Sequence, residues 1–171
     1  MTTPPMLRQL RHDVWATQKL IAHCRTLTEA QLDLTAPGTY GTIRRTLQHI
    51  VGADTRYLAR IGAPVVDTPF PQDRDVPLDQ TAATLEKVKA AVERIFSGVE
   101  FDPDRVVVDP FTAPTDPPTE LEGWMMPAQF VHHGSDHRAH IGTILGMHGI
   151  EGPELDVWAY GREIGAIREK R

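Results

Sequence analysis

This chain has a single cysteine, Cys24, so no disulfide can form within it. That agrees with a reducing compartment. No apolar run approaches the length that spans a bilayer. The opening Met-Thr-Thr-Pro-Pro lacks the basic segment and apolar core of a secretory signal. A cytoplasmic location is therefore expected. No excess of basic residues is present either: the formal net charge is -5, and no basic stripe is visible along the chain. A nucleic-acid footprint is not expected from such a balance. Internal repeats and low-complexity tracts are also missing, and 171 residues suit one domain, expected over 1–171, with a core of useful size.

Histidine is what the chain does have. His132, His133, His137 and His140 are four of its eight histidines, and they fall within nine residues; His148 follows soon after. At 100° per residue, His133, His137 and His140 project from one helix face, within about 60° of each other. Phe130, Ile141, Met126 and Ile144 share that face, so the imidazoles point to the interior or to a cavity mouth. Burying an unpaired imidazole costs on the order of 1–3 kcal/mol. Several together would also repel if protonated. A divalent ion removes both costs by bonding neutral nitrogens, and an i, i+4 histidine pair can share one. The competing account is a set of core histidines bonded to carbonyls or carboxylates; the spacing favours metal.

Five helical stretches are predicted. The first follows Thr3, with Pro4 and Pro5 in its opening turn and a stripe of Leu7, Leu10, Val14 and Ile21. Thr28-Glu-Ala-Gln31 reads as a capping box that opens a short turn of helix. The second long helix starts near Thr42, carries Ile43, Thr46, Ile50, Ala53, Tyr57 and Ile61 inward, and stops at Gly62 and Pro64. His49 sits at the border of its inward stripe. A third helix spans roughly Gln80 to Phe96, capped by Asp79, with Leu85, Val88, Val92 and Ile95 on its buried face. The proline-rich segment from Ser97 to Gly123 is expected as an extended loop. Arg105-Val-Val-Val108 has strand character there but no evident partner. The fourth helix runs from about Trp124 to His148, and a last one from about Leu155 to Arg168 carries Val157, Trp158, Ile164 and Ile167. The expected fold is all-α: a four-helix bundle with an additional C-terminal helix and long proline-rich connections. Such bundles build metal sites from side chains on facing helices.

Two ligands from one helix leave an ion under-coordinated, since catalytic zinc commonly takes three protein ligands. His49 is the sole histidine of the second long helix; His12 and His23 compete from the first, and His140 from the fourth. Asp54 or Asp136 could orient a ligand imidazole, although a salt bridge or solvated carboxylate is the commoner role. Arg138 could hold an anionic substrate group or a structural ion pair. Cys24 could serve as thiolate or ligand, but a small core residue is the ordinary reading. Trp158 and Tyr160 are expected to pack.

Trp15, Leu47-Gln-His49-Ile with Asp54 and Tyr57, His133-x-x-x-His137-Arg138 and Leu155-Asp-Val-Trp158-Ala-Tyr160 together resemble the DinB-like superfamily. The resemblance covers nearly the whole chain in helix order and spacing. It implies a four-helix bundle with a three-histidine divalent metal site, carried here by His49, His133 and His137. The chain departs from the usual pattern at His132 and His140, so His140 is a possible substitute ligand or proton shuttle. Characterised relatives include thiol-dependent S-transferases and a mycothiol-dependent maleylpyruvate isomerase. By that resemblance the chain is an S-transferase or isomerase that acts on a small-molecule electrophile with a low-molecular-weight thiol such as mycothiol. A hydrolase using metal-activated water is the alternative, and a non-catalytic metal-binding or stress-related module is the third reading. Zinc is favoured, with nickel, iron and manganese also suited to imidazole. A homodimer is common among the relatives; no membrane partner is expected.

Overall fold

The computed structural model describes residues 3–66, 70–71, 73–97 and 101–168. Six helices and one two-stranded sheet are present among them: α1 (Pro5–Cys24), α2 (Glu29–Leu32), α3 (Ile43–Arg60), α4 (Leu78–Phe96), β1 (Val106–Val108), β2 (Glu120–Glu122), α5 (Met125–Met147) and α6 (Val157–Glu163). The fold is all-α in class, as its periodicity requires.

The four long helices form a ring in which α1 touches α4 and α5, and α3 touches the same two. The consecutive long helices α1 and α3 therefore stand diagonally opposite, with the 61–77 connection leading to α4. The most extensive pairing is between α3 and α5. The apolar stripes meet at the centre: Leu7, Leu10 and Val14 of α1, Leu47 and Ile50 of α3, Leu85 and Val88 of α4, Phe130, Ile141 and Ile144 of α5. Each such side chain contributes about 1.5–3 kcal/mol when fully buried, which outweighs the modest propensity of the Thr- and His-containing helices. Among the described residues, no helix is long and apolar enough to cross a membrane.

Local chemistry fixes where these helices start and stop. The Thr42 hydroxyl accepts the Arg45 backbone N–H at 3.0 Å and so caps α3. The predicted Thr28–Gln31 capping box is formed at α2. Gly149, at φ 67°, lets the chain turn out of α5 while Ile150 N–H returns to the Leu145 carbonyl at 2.9 Å.

Four expectations need correction. Pro77, not Asp79, stands at the N-cap of α4, and Asp79 lies in the first turn, where it receives Arg25 at 2.7 Å. Proline at this place gives up no helical hydrogen bond. Arg105–Val108 does find a partner strand: β1 and β2 pair antiparallel with Val107 opposite Leu121. Bonds from Asp109 N–H to the Thr119 carbonyl (2.8 Å) and from Gly123 N–H to the Arg105 carbonyl (2.9 Å) extend the ladder. The last helix ends at Glu163, short of Arg168, because Gly165 turns the chain at φ 70°. Trp158 does not pack: it is 69% exposed, and Val157 and Ile164 are exposed beside it. Tyr160 packs as expected, its ring 5.2 Å from Trp15 and 5.6 Å from His12.

Candidate metal centre

The tight α3–α5 pairing brings His49 of α3 against His133 and His137 of α5. Leu47 and Ile50 on α3 and Phe130 and Ile141 on α5 are fully buried and set the rotation of both helices. That leaves the three imidazoles at the half-buried rim of the interface. Ring centroids are 4.4 Å apart for His133 and His137, 4.8 Å for His49 and His133, and 4.7 Å for His49 and His137. The Nε2 atoms of His49 and His133 lie 3.0 Å apart. One ring nitrogen from each of the three falls within 4.8 Å of the others.

These residues fit a divalent ion. Two nitrogens each about 2.1 Å from a common ion at tetrahedral or octahedral angles stand roughly 2.9–3.4 Å apart, and the His49–His133 pair already does. Burial drives the His49 pKa down to about 4 and the His133 pKa down to about 3, aided by the neighbouring histidines and by Arg56. Burial and His140 lower that of His137. All three rings are thus neutral near pH 7 and have lone pairs to offer. Nδ1 of His133 and of His137, like that of His140, is buried without a hydrogen-bond partner among the described residues, so no neighbouring group fixes these tautomers.

The other sequence candidates go to different places. His140 lies next to the triad, its ring 5.2 Å from that of His137, but outside the converging set. His12 is bonded through Nε2 to the Leu155 carbonyl at 2.8 Å, and His148 to that of Thr35 at 3.1 Å. His23 keeps a buried, unpartnered Nε2. His132 is exposed, 3.8 Å from Asp136 on the next turn. Asp136 is itself exposed and does not orient a ligand ring. Asp54 is sealed in the core with neither carboxylate oxygen bonded, so it too leaves the imidazoles alone. Arg138 is buried and donates to Asp13 Oδ1 at 2.5 Å and to Thr17 Oγ1 at 3.0 Å; its role is the structural ion pair. Cys24 is fully buried, and burial pushes its thiol pKa to about 12. At neutral pH it is a protonated core residue.

Three further residues shape the site. Tyr40 stacks on His49 with centroids 4.0 Å apart and meets His137 edge-on at 5.0 Å. Tyr57 stands edge-on to His133 at 5.6 Å. Gln48 pins the α3–α4 connection over the centre: its amide donates to the Pro71 carbonyl at 2.9 Å and accepts from Val76 N–H at 2.9 Å. Tyr57 carried a helical signal as an inward residue of α3. Tyr40 lies on a loop, and Gln48 acts through a distant segment, so no periodicity marks them.

Comparison with solved structures finds the crystal structure of a DinB-like protein from Bacillus cereus ATCC 10987. It is 23% identical, with a TM-score of 0.63 over 87% of this chain and 94% of that one. At that identity the likeness supports the fold. Comparison with curated proteins gives no match. The DinB family model matches residues 1–165, nearly the full length and including all three converging histidines, and on that match this chain belongs to the DinB family.

Proposed function

We propose that His49, His133 and His137 hold one divalent ion, zinc being favoured, and that the chain is a thiol-dependent S-transferase or isomerase. The observation that carries this is the make-up of the site: three neutral imidazoles converge at a half-buried rim with no protein sulfur or carboxylate among the donors. Three neutral ligands leave the ion's charge uncompensated and a coordination position free. When bound, such an ion lowers the pKa of a thiol or water that joins it.

The protein's own contribution is arrangement. Burial keeps the three rings deprotonated, and Tyr40 covers the His49 face. The sealed Cys24 offers no nucleophile, which suits a thiol brought from solution, mycothiol being one of that class. Hydrolysis is less well served. Asp54 is enclosed in the core and Asp136 points to solvent, so neither carboxylate is set to take a proton from an attacking water.

The test is direct. Protein prepared without a histidine tag should contain about one divalent ion per chain, and turnover of an aryl halide should require both that ion and an added thiol. In that reaction the sulfur–carbon bond forms, halide departs, and the thiol proton goes to solvent. Turnover of ester or amide substrates without thiol would instead support the hydrolase.

A further inference from the structure

Arg45, His49, Gly52 and Arg56 follow one another at i, i+4, i+7 and i+11 along α3, and so share one helix face. Together with Tyr40, Gln48, Phe70 and Pro71 they line a narrow cleft beside the triad. The two arginines differ in how their charge is met. Arg45 donates to the Arg74 carbonyl at 3.0 Å and to Asp75 at 3.3 Å. The Arg56 guanidinium, among the described residues, has neither a hydrogen bond nor an ion pair. It lines the same cleft as His49.

Gly52 explains how Arg56 comes so close. A Cβ at this position would sit 3.3 Å from Phe70 Cδ2 and 3.7 Å from Arg56 Nη1. Glycine inside a helix costs about 1 kcal/mol relative to alanine. In return, Phe70 and the guanidinium close down on the α3 backbone, one helical turn from His49. A cationic side chain facing an ion with three neutral ligands is electrostatically unfavourable unless an anion stands between them. The planar guanidinium fork matches a carboxylate, and the cleft it lines with His49 is narrow.

We propose that Arg56 is an anion-binding residue of this centre, and that the small molecule taken up beside His49 carries a carboxylate held by its guanidinium. This rests on the triad holding an ion, and it narrows the thiol or its electrophile to a carboxylated class.

The experiment compares two thiols of nearly equal size, 3-mercaptopropionate and 3-mercaptopropanol, binding to the cobalt-loaded full-length protein. Dissociation constants come from calorimetry, and a sulfur-to-cobalt absorption band reports sulfur coordination separately. The wild-type protein should bind the acid at least tenfold more tightly than the alcohol, the scale of one charge-assisted hydrogen bond. Arg56→Gln, checked for unchanged metal content and circular dichroism, should lose that tenfold for the acid and less than twofold for the alcohol. Arg56→Lys should recover part of it. Equal wild-type affinities for the two thiols overturn the proposal without any variant. So does an acid preference that survives Arg56→Gln, since it would belong to the ion or to Arg45. Absence of the absorption band with both thiols overturns the thiol chemistry instead, while the calorimetric acid–alcohol difference still decides the role of Arg56.

Discussion

Arg138 Nη2 and Asp13 Oδ1, 125 residues apart in sequence, are bonded at 2.5 Å in the core and join α5 to α1. Arg138 follows His137 on α5, so the pair and the candidate centre share a turn of that helix. Its space is made by Gly134, where a Cβ would fall 2.7 Å from both Arg138 Nη1 and Asp13 Oδ2. Gly134→Ala should therefore destabilise the protein by about 1–3 kcal/mol, against the usual gain from alanine in a helix. Arg138→Met should cost about 3–5 kcal/mol, because it strands a buried carboxylate. Denaturant titration measures both. An alanine at 134 that stabilises would mean the pair has room to move.

Asp54 shares this interior and sets a pH dependence. Burial and the nearby charge of Asp13 hold its carboxyl well above the ordinary carboxylate range. A group raised on folding gives its full stability below its unfolded pKa of about 3.9, and loses it as pH climbs through the folded value. Asp54→Asn cannot ionise. Its melting temperature should match the wild type near pH 4 and exceed it by a few degrees at pH 8. A constant offset across that range would show that Asp54 does not titrate differently on folding.

His133→Ala and His137→Ala should each abolish stoichiometric metal, and His49→Ala should do the same from the opposite helix. His140→Ala should retain close to one ion per chain by elemental analysis, because His140 lies outside the converging set. If metal is lost in the His140 variant and kept in His49→Ala, the third ligand has been misassigned. In metal-free protein, the depressed pKa values of His49 and His133 make the unfolded chain bind protons first as pH falls below about 6.5. Stability should then drop between about pH 6.5 and 3, and His133→Gln should flatten that drop.

Cys24 should be unreactive toward a disulfide reagent at pH 8 in the folded protein and should react at once in denaturant. Burial both blocks access and holds the thiol protonated, with a pKa of about 12. Fast labelling of the native protein would reopen a chemical role for this residue.

Much of this architecture is legible in the chain because long helices repeat their apolar signal. Leu7, Leu10 and Val14, or Phe130, Ile141 and Ile144, announce a buried face many times over. The β1–β2 hairpin is not legible for the opposite reason. Glu120-Leu-Glu122 offers one apolar residue, and the ladder depends on Asp109 and Gly123 lying outside the strands. The His133–His137 spacing marks one side of the site. Its other parts are set by tertiary closure: Tyr40 by the loop before α3, Gln48 by the segment it clamps. Arg56 was readable in principle, seven residues after His49 on the same face, but an exposed-looking arginine on a helix carries no signal until its partners are seen to be missing.

The His49–His133 proximity has a mechanical side as well. These residues are 84 positions apart, and everything from the end of α3 to the middle of α5 lies between them, the hairpin included. An ion bound across them would act as a removable staple on that stretch. By loop-closure entropy, a permanent link over such a span is worth about 4–5 kcal/mol. Removing such an ion would then loosen the grip of α3 on α5 and lower the stability of the whole bundle.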